Sequence, residues 1–304
     1  MNLLEAMEQR HAIRAYTDEP VDQSVLDILR AEIDACNQES GLHIQMAAGL
    51  DDAFLGLKTH YGRFTGVHNA IALIGRAVHD DASDGTMPDG VIAGVRGHDA
   101  TTETATGLAG SGSAAIATPN NAATAAWHKS TAVDEAATDP SEIALQERVG
   151  YYGERVALRA VQLGLETSWA VLDDADTAEH PWWCLYPGEK IVWVLAFGHG
   201  ARPGGRRRSK PIEELCRIPD GMAMPDWFRA GMEAAMLAPT SLSQQPFLFT
   251  LHKDGTVSAE ATEGLFAHVG LGCAKYHFEV GTGRENVRWR DTAASGEEAA
   301  GATD

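Results

Sequence analysis

Cysteine, positive charge and long apolar runs are all scarce in this sequence. The four cysteines, Cys36, Cys184, Cys216 and Cys273, lie far apart and form no C-x-x-C pair. That excludes a zinc ribbon, argues against a disulfide framework and points to a reducing cytoplasm. Nowhere do 18 apolar residues follow one another, so no segment reads as membrane-spanning. The opening MNLLEAMEQRHAIR carries Glu5 and Glu8 among short apolar pieces, unlike a secretory signal. Against 43 Asp+Glu stand 24 Lys+Arg, a formal net charge of −19. Such a chain is expected to bind neither nucleic acid nor anionic lipid, both of which require a basic face.

Familiar catalytic patterns are missing too. The 12 histidines are scattered without H-E-x-x-H or another metal spacing, so no metal ligands are assigned. There is no G-x-S-x-G, no P-loop and no G-x-G-x-x-G after a strand. In GLGC (270–273) Cys273 has the look of a nucleophile but no identifiable base. Trp169, Trp182, Trp183 and Trp193 read as core fillers. No catalytic residue is assigned, and that absence is informative: a cofactor with its own chemistry asks the protein only for placement and tuning.

What is present suffices for a folded protein. The 304 residues are 44% hydrophobic, enough for one large domain or two modest ones. Val25, Ile28, Leu29, Ile33 and Cys36 recur at helical spacing, after Ser24 and Asp27, which resemble a capping box. AIALIG (70–75) reads as a buried strand. A longer helix covers LQERVGYYGERVALRAVQLG, with Val149, Tyr152, Val156, Ala160 and Leu163 on one face and Gly164 at its C-terminal end. SWAVL (168–172) and KIVWVLAFG (190–198) read as strands, and PDWFRAGMEAAMLAPTS as a helix from Pro225 to Pro239. In PFLFTLHKDGTVSAEA, Asp254-Gly255 signals a hairpin. From about 82 to 143 the chain is rich in Ala, Thr, Gly and Ser and has too little apolar surface to offset ordering entropy; it reads as a mobile insertion, and the tail DTAASGEEAAGATD as disordered.

Three stretches could bind a ligand. Arg10, His11 and Arg14 cluster against the overall charge; they are either a solvated salt-bridging patch or an anion site. A second basic run, Arg206, Arg207, Arg208 and Lys210, follows a predicted central strand and favours a phosphate, an exposed linker being the alternative. The turn APTSLSQQPF (238–247) offers hydroxyl, backbone and amide groups from Pro239, Thr240, Ser243, Gln244 and Gln245 that suit the edge of a planar heterocycle.

QRHAIRAYTDEPV resembles the opening of FMN-dependent nitroreductases, Arg-Arg/His-Ser-x-Arg/Lys and an aromatic. Arg10, His11 and Arg14 match, with Ala12 in place of serine. APTSLSQQPF resembles the family's Ala-Pro-Ser-x-x-Asn-x-Gln-Pro-Trp turn, with Thr240 for Ser, Ser243 for Asn and Phe247 for Trp. GYYGERVALRAVQLGLETSW is similar to the family's long helix and following strand entry, and RRRSKP to its C-terminal basic element, one register off. The turn stands some 200 residues further along than in ordinary members. That order, with the closing GLGCAKYHFEVGTGRENVRW, resembles the subgroup in which one chain carries two unequal halves.

The resemblance implies an α+β nitroreductase-like fold, a fused pseudo-dimer around mixed and antiparallel sheets. Its halves are 1–215, with the insertion at about 82–143, and the smaller 216–304, with the acidic tail. It implies FMN held by Arg10, His11, Ala12, Arg14, Arg208 and Lys210 from the first half and by Pro239, Thr240, Ser241, Ser243 and Gln245 from the second. It implies an enzyme working as a monomer, passing electrons from NAD(P)H through FMN to a small oxidised acceptor such as a nitroaromatic or quinone. A non-catalytic flavin-binding or flavin-sensing protein is the alternative.

Overall fold

A computed structural model describes residues 1–78, 139–205 and 207–290. Most of the expected insertion, the tail from 291 and Arg206 lie outside the described residues. Residues 139–143, assigned to the insertion, instead start a helix: Asp139 accepts a hydrogen bond from the Ser141 backbone N–H, and Pro140 stands in the first turn. Proline fits there because that turn has no use for its missing N–H.

Two helices open the chain, the short α1 (Leu3–Gln9) and the longer α2 (Gln23–Ser40). The capping box expected at Ser24 and Asp27 is not formed. The helix starts two residues earlier, with Asp22 as its N-cap, and Asp27 instead accepts from Gln23 and Arg30 on the exposed face. Next come β1 (Gln45–Ala47) and β2 (Ala70–Gly75), then α3 (Pro140–Gln162), β3 (Glu166–Ala170) and β4 (Lys190–Gly198). Gly164 follows α3 with φ +87°, the left-handed stop that glycine adopts without strain.

The four strands form an antiparallel sheet in the order β1-β2-β4-β3. Both of its faces are covered. Leu73, Leu195 and Phe197 meet Leu29, Ile33, Val149 and Val156 from α2 and α3. On the other side Ala70, Ile74, Val194 and Ala196 meet Phe54, Val67, Leu172 and Trp183 from the loops. Two covered faces explain why AIALIG and IVWVLAF carry no polar alternation. The β2–β4 register shifts after Leu73, which pairs with Trp193, while Ile74 pairs with Ile191. The extra residue, Val192, joins Trp193 on the helix side, so the bulge turns the indole toward α3 and α6.

The rest of the chain builds a second, smaller sheet. α4 (Ile212–Leu215) leads into β5 (Cys216–Arg217), then come α5 (Asp226–Ala235), β6 (Phe247–Leu251), β7 (Val257–Ala261) and α6 (Ala267–Thr282). β5 pairs parallel to β6, and β6 antiparallel to β7. The expected hairpin is present, with Gly255 at φ +77°. α5 ends at Ala235, short of Pro239, and residues 236–239 form an irregular turn. Phe228, Met232, Leu271 and Phe278 pack on Phe247, Phe249 and Val257.

α3 and α6 meet backbone to backbone. A Cβ on Gly272 would lie 2.0 Å from the Glu147 carbonyl oxygen, and one on Gly150 would lie 2.1 Å from that of Val269. The Cys273 thiol sits in this crossing and donates to the Gly150 carbonyl at 3.3 Å. Cys273, nucleophile-like in sequence but without a base, is thus a packing residue; burial holds its thiol pKa well above the usual range. Gly272→Ala should destabilise the protein by about 3 kcal/mol through overpacking, visible as a lowered Tm. Burial also pushes Cys36 up to about 12 and raises Cys216, whereas Cys184 is exposed. At pH 8 a chromogenic disulfide reagent should therefore label one thiol quickly, and the other three only after denaturation. Fast labelling of Cys273 would show that the crossing opens readily.

Candidate functional site

Residues 11–16 are extended and lie along the β3 edge. The Ile13 N–H donates to the Thr167 carbonyl at 3.1 Å, and Tyr16 bridges to Gly200. Arg10, the C-cap of α1, starts this run, so Arg10 and Arg14 do not share a helix face. In extended chain the period is two, which sets Arg10, Ala12 and Arg14 along one side while Ile13 is buried. All three, with His11, line a cleft of about 350 Å³. That volume is in the range of small-molecule and cofactor sites.

The opposite wall is the turn after α5. Pro239, Thr240, Ser241, Leu242, Ser243 and Gln245 line the same cleft. Leu242, Ser243 and Gln245 all have positive φ (52°, 56° and 47°), a conformation that costs a non-glycine residue about 1–2 kcal/mol. Surrounding bonds hold it. Thr240 Oγ1 accepts from the Gln245 N–H at 3.1 Å, and Gln244 Oε1 accepts from the Leu265 N–H at 3.0 Å. Gln245 is buried; its amide donates to Met236 O and Ser209 Oγ, both at 3.0 Å, and accepts from the Lys210 N–H at 2.7 Å. Of the two amides expected to face a heterocycle, that of Gln245 therefore braces the turn against the basic run and that of Gln244 ties it to Leu265.

That basic run contributes differently from expectation. Arg208 lines the cleft and is exposed. Lys210 is not among the lining residues, and its Nζ donates to the Gln245 carbonyl at 3.3 Å. Arg207, named in the basic run but not among the residues the resemblance assigns to FMN, is half-buried in the cleft wall. Its Nη2 donates to the carbonyls of Met7 at 3.0 Å and Arg10 at 2.7 Å, beside the last carbonyls of α1. Burial and the neighbouring Arg10 charge lower its pKa. Burial, then Arg207 and Arg10, likewise lower that of His11, which is neutral at pH 7.

Beneath the cleft lies Arg10, only 7% exposed, with Nε 3.4 Å from Oε1 of the fully buried Glu154. The pair is at ion-pair distance but not in hydrogen-bond geometry, and Arg10 Nε finds no acceptor among the described residues. Glu154 also faces His277 Nε2 at 2.9 Å and Trp169 Nε1 at 3.1 Å. Trp169, Trp193 and Phe266 form an aromatic wall, Trp193 standing edge-on to both others at 5.8 and 4.9 Å. Of the four tryptophans assigned to the core, Trp193 is buried in it and Trp169 packs against it while both also line the cleft; Trp182 and Trp183 pack under the loops. Ser168 Oγ and Trp193 Nε1, both buried and both in lining residues, also lack hydrogen-bond partners.

These residues fit an anionic, planar ligand. Arg10 and Arg207 carry two positive charges into low dielectric, and one ion pair, to Glu154, offsets Arg10. An anion would balance the remainder. The buried donors and the aromatic side chains suit an apolar ring with polar edges. Among the described residues no group of three or more His, Cys, Asp or Glu is placed to hold a metal ion, and no helix is long and apolar enough to cross a membrane.

No curated protein matches the sequence. Among solved structures, a "putative nitroreductase" from Thermotoga maritima is 16% identical with a TM-score of 0.47, covering 94% of this chain and 85% of its own. A "putative nitroreductase in complex with FMN" from Desulfovibrio desulfuricans is 19% identical with a TM-score of 0.41, covering 74% and 99%. A nitroreductase family protein from Streptococcus pneumoniae is 12% identical with a TM-score of 0.41, covering 70% and 98%. Likenesses this distant carry no weight beside the family model described as "Putative TM nitroreductase", which matches residues 2–85 and 129–282. With more than half of its length matched, the chain belongs to this nitroreductase family.

Proposed function

We propose that the protein is an FMN-dependent oxidoreductase that passes electrons from NAD(P)H to a small oxidised acceptor such as a nitroaromatic or quinone. The observation that carries this reading is the buried excess of positive charge at Arg10 and Arg207, set beside an aromatic wall in one cleft. Bound FMN would supply the two-electron chemistry. Arg10 and Arg207 would hold its phosphate, with Arg14 and Arg208 at the exposed rim. Trp169, Trp193 and Phe266 would keep water from the ring, and Ser168 and Trp193 would offer their free donors to its polar edge. Residues 239–245 would close the opposite side.

The fused pseudo-dimer, with halves 1–215 and 216–304, fits the same reading. The arginines come from the first half, and the turn from the second. A reciprocal site would need an arginine cluster after residue 216 and a proline turn at 35–45, and ACNQESGLHIQ holds no proline. The protein would then act as a monomer, in the cytoplasm by its free cysteines. A flavin-binding protein without turnover is favoured by one feature: Ala12 lines the cleft with a methyl where the family pattern has a hydroxyl.

The purified protein should show a flavin absorption spectrum and oxidise NAD(P)H when an acceptor is added. Bound flavin without turnover would favour the non-catalytic reading, and no flavin affinity would end both. Arg10→Ala and Arg207→Ala should each weaken FMN about ten- to a hundredfold, since hydrogen bonds to charged groups are worth about 1.5–3 kcal/mol. Riboflavin, which lacks the phosphate, should bind both variants about as well as it binds wild type. Titration of flavin-free protein should saturate at one FMN per chain. Two equivalents of similar affinity would contradict the fused pseudo-dimer.

A further inference from the structure

We propose that Glu154 is a positioning residue for the anion clamp: a carboxylate that never touches the ligand but sets the preference for a phosphorylated one. It rests on the reading of the cleft as an FMN site. Glu154 is fully buried on α3 and faces three elements besides its own. Arg10 comes from the end of α1, Trp169 from β3 and His277 from α6. Both carboxylate oxygens are engaged, Oε1 by Arg10 and His277, Oε2 by the Trp169 indole N–H. His277 is itself fixed, with Nδ1 3.0 Å from the Ala234 carbonyl oxygen. A carbonyl only accepts, so Nδ1 carries a hydrogen, and the ring presents Nε2 to Glu154.

The arrangement sorts charge from hydrogen bonding. Arg10 is drawn down by the carboxylate at 3.4 Å, yet Nε makes no hydrogen bond there. Arg207 lies alongside, bonded to the Arg10 carbonyl. Without Glu154 the two guanidinium groups would repel across a half-buried wall, and Arg10 would relieve this by swinging toward solvent. Phosphate binding would then bear the cost of bringing it back. Glutamine is a poor substitute, because an oxygen kept for the Trp169 N–H turns its NH2 toward Arg10 and removes the charge that draws Arg10 down.

The sign of the effect separates positioning from simple charge. If Glu154 only opposes the phosphate electrostatically, Glu154→Gln makes the clamp more positive and tightens FMN. If it positions Arg10, Glu154→Gln weakens FMN and leaves riboflavin little changed. Binding of FMN and of riboflavin to flavin-free full-length protein, followed by flavin fluorescence, gives the preference as a ratio. The expected result is a fall of about tenfold in that ratio, with no further fall when Glu154→Gln is added to Arg10→Ala. An unchanged or raised ratio, or losses that multiply in the double variant, overturns the proposal. If Glu154→Gln does not fold, His277 supplies the test. His277→Asn keeps a donor for Ala234 but leaves Glu154 unbraced, and should lower the ratio; His277→Gln, which reaches Glu154, should restore it. Equal ratios in the two variants overturn the proposal. A wild-type protein that binds FMN and riboflavin equally overturns the clamp as well, whereas one that binds neither removes the flavin reading itself, a different failure.

Discussion

The site depends on how closely α3 and α6 can approach. With Gly150 and Gly272 at the crossing, carbonyl oxygens of one helix lie where side chains of the other would stand. Larger residues would push the axes apart and draw Glu154 away from His277, because the two sit on the facing sides of the same pair of helices. The crossing also joins the two sheets: α3 packs on the first, and α6 on the second. One contact without side chains therefore fixes the position of the arginine edge relative to the turn at 239–245.

Around that contact the cleft combines rigid and strained parts. Arg10 is held from below by charge, and Arg207 from the side by α1 carbonyls. The turn opposite carries three left-handed non-glycine residues and survives because Gln245 ties it to Met236, Ser209 and Lys210. Strain of this kind persists only where surrounding bonds over-determine the backbone. Here the bonds that do so link the turn to the segment that carries Arg207 and Arg208, so the two sides of the cleft cannot move independently.

What the sequence by itself determined was whatever depends on local pattern. Two-sided burial leaves continuous apolar runs, so AIALIG and KIVWVLAFG were legible as strands to the residue. A helical stripe ending in glycine marked α3, and Asp254-Gly255 marked the hairpin. The unusual placing of arginines in an acidic chain marked the segment beside the cleft. Tertiary structure decided the rest, because it depends on what distant residues meet. Nothing local distinguishes Arg207 from Arg208; the carbonyl ends of α1 do. Trp193 is core, as it looks, but the bulge that turns it to the helix side also makes it a wall of the cleft. Cys273 resembles a nucleophile until a neighbouring helix seals it in. Glu154 is one charge among many in its helix with no local mark, and only the packing of α1, β3 and α6 around it makes it the buried counter-charge of the site.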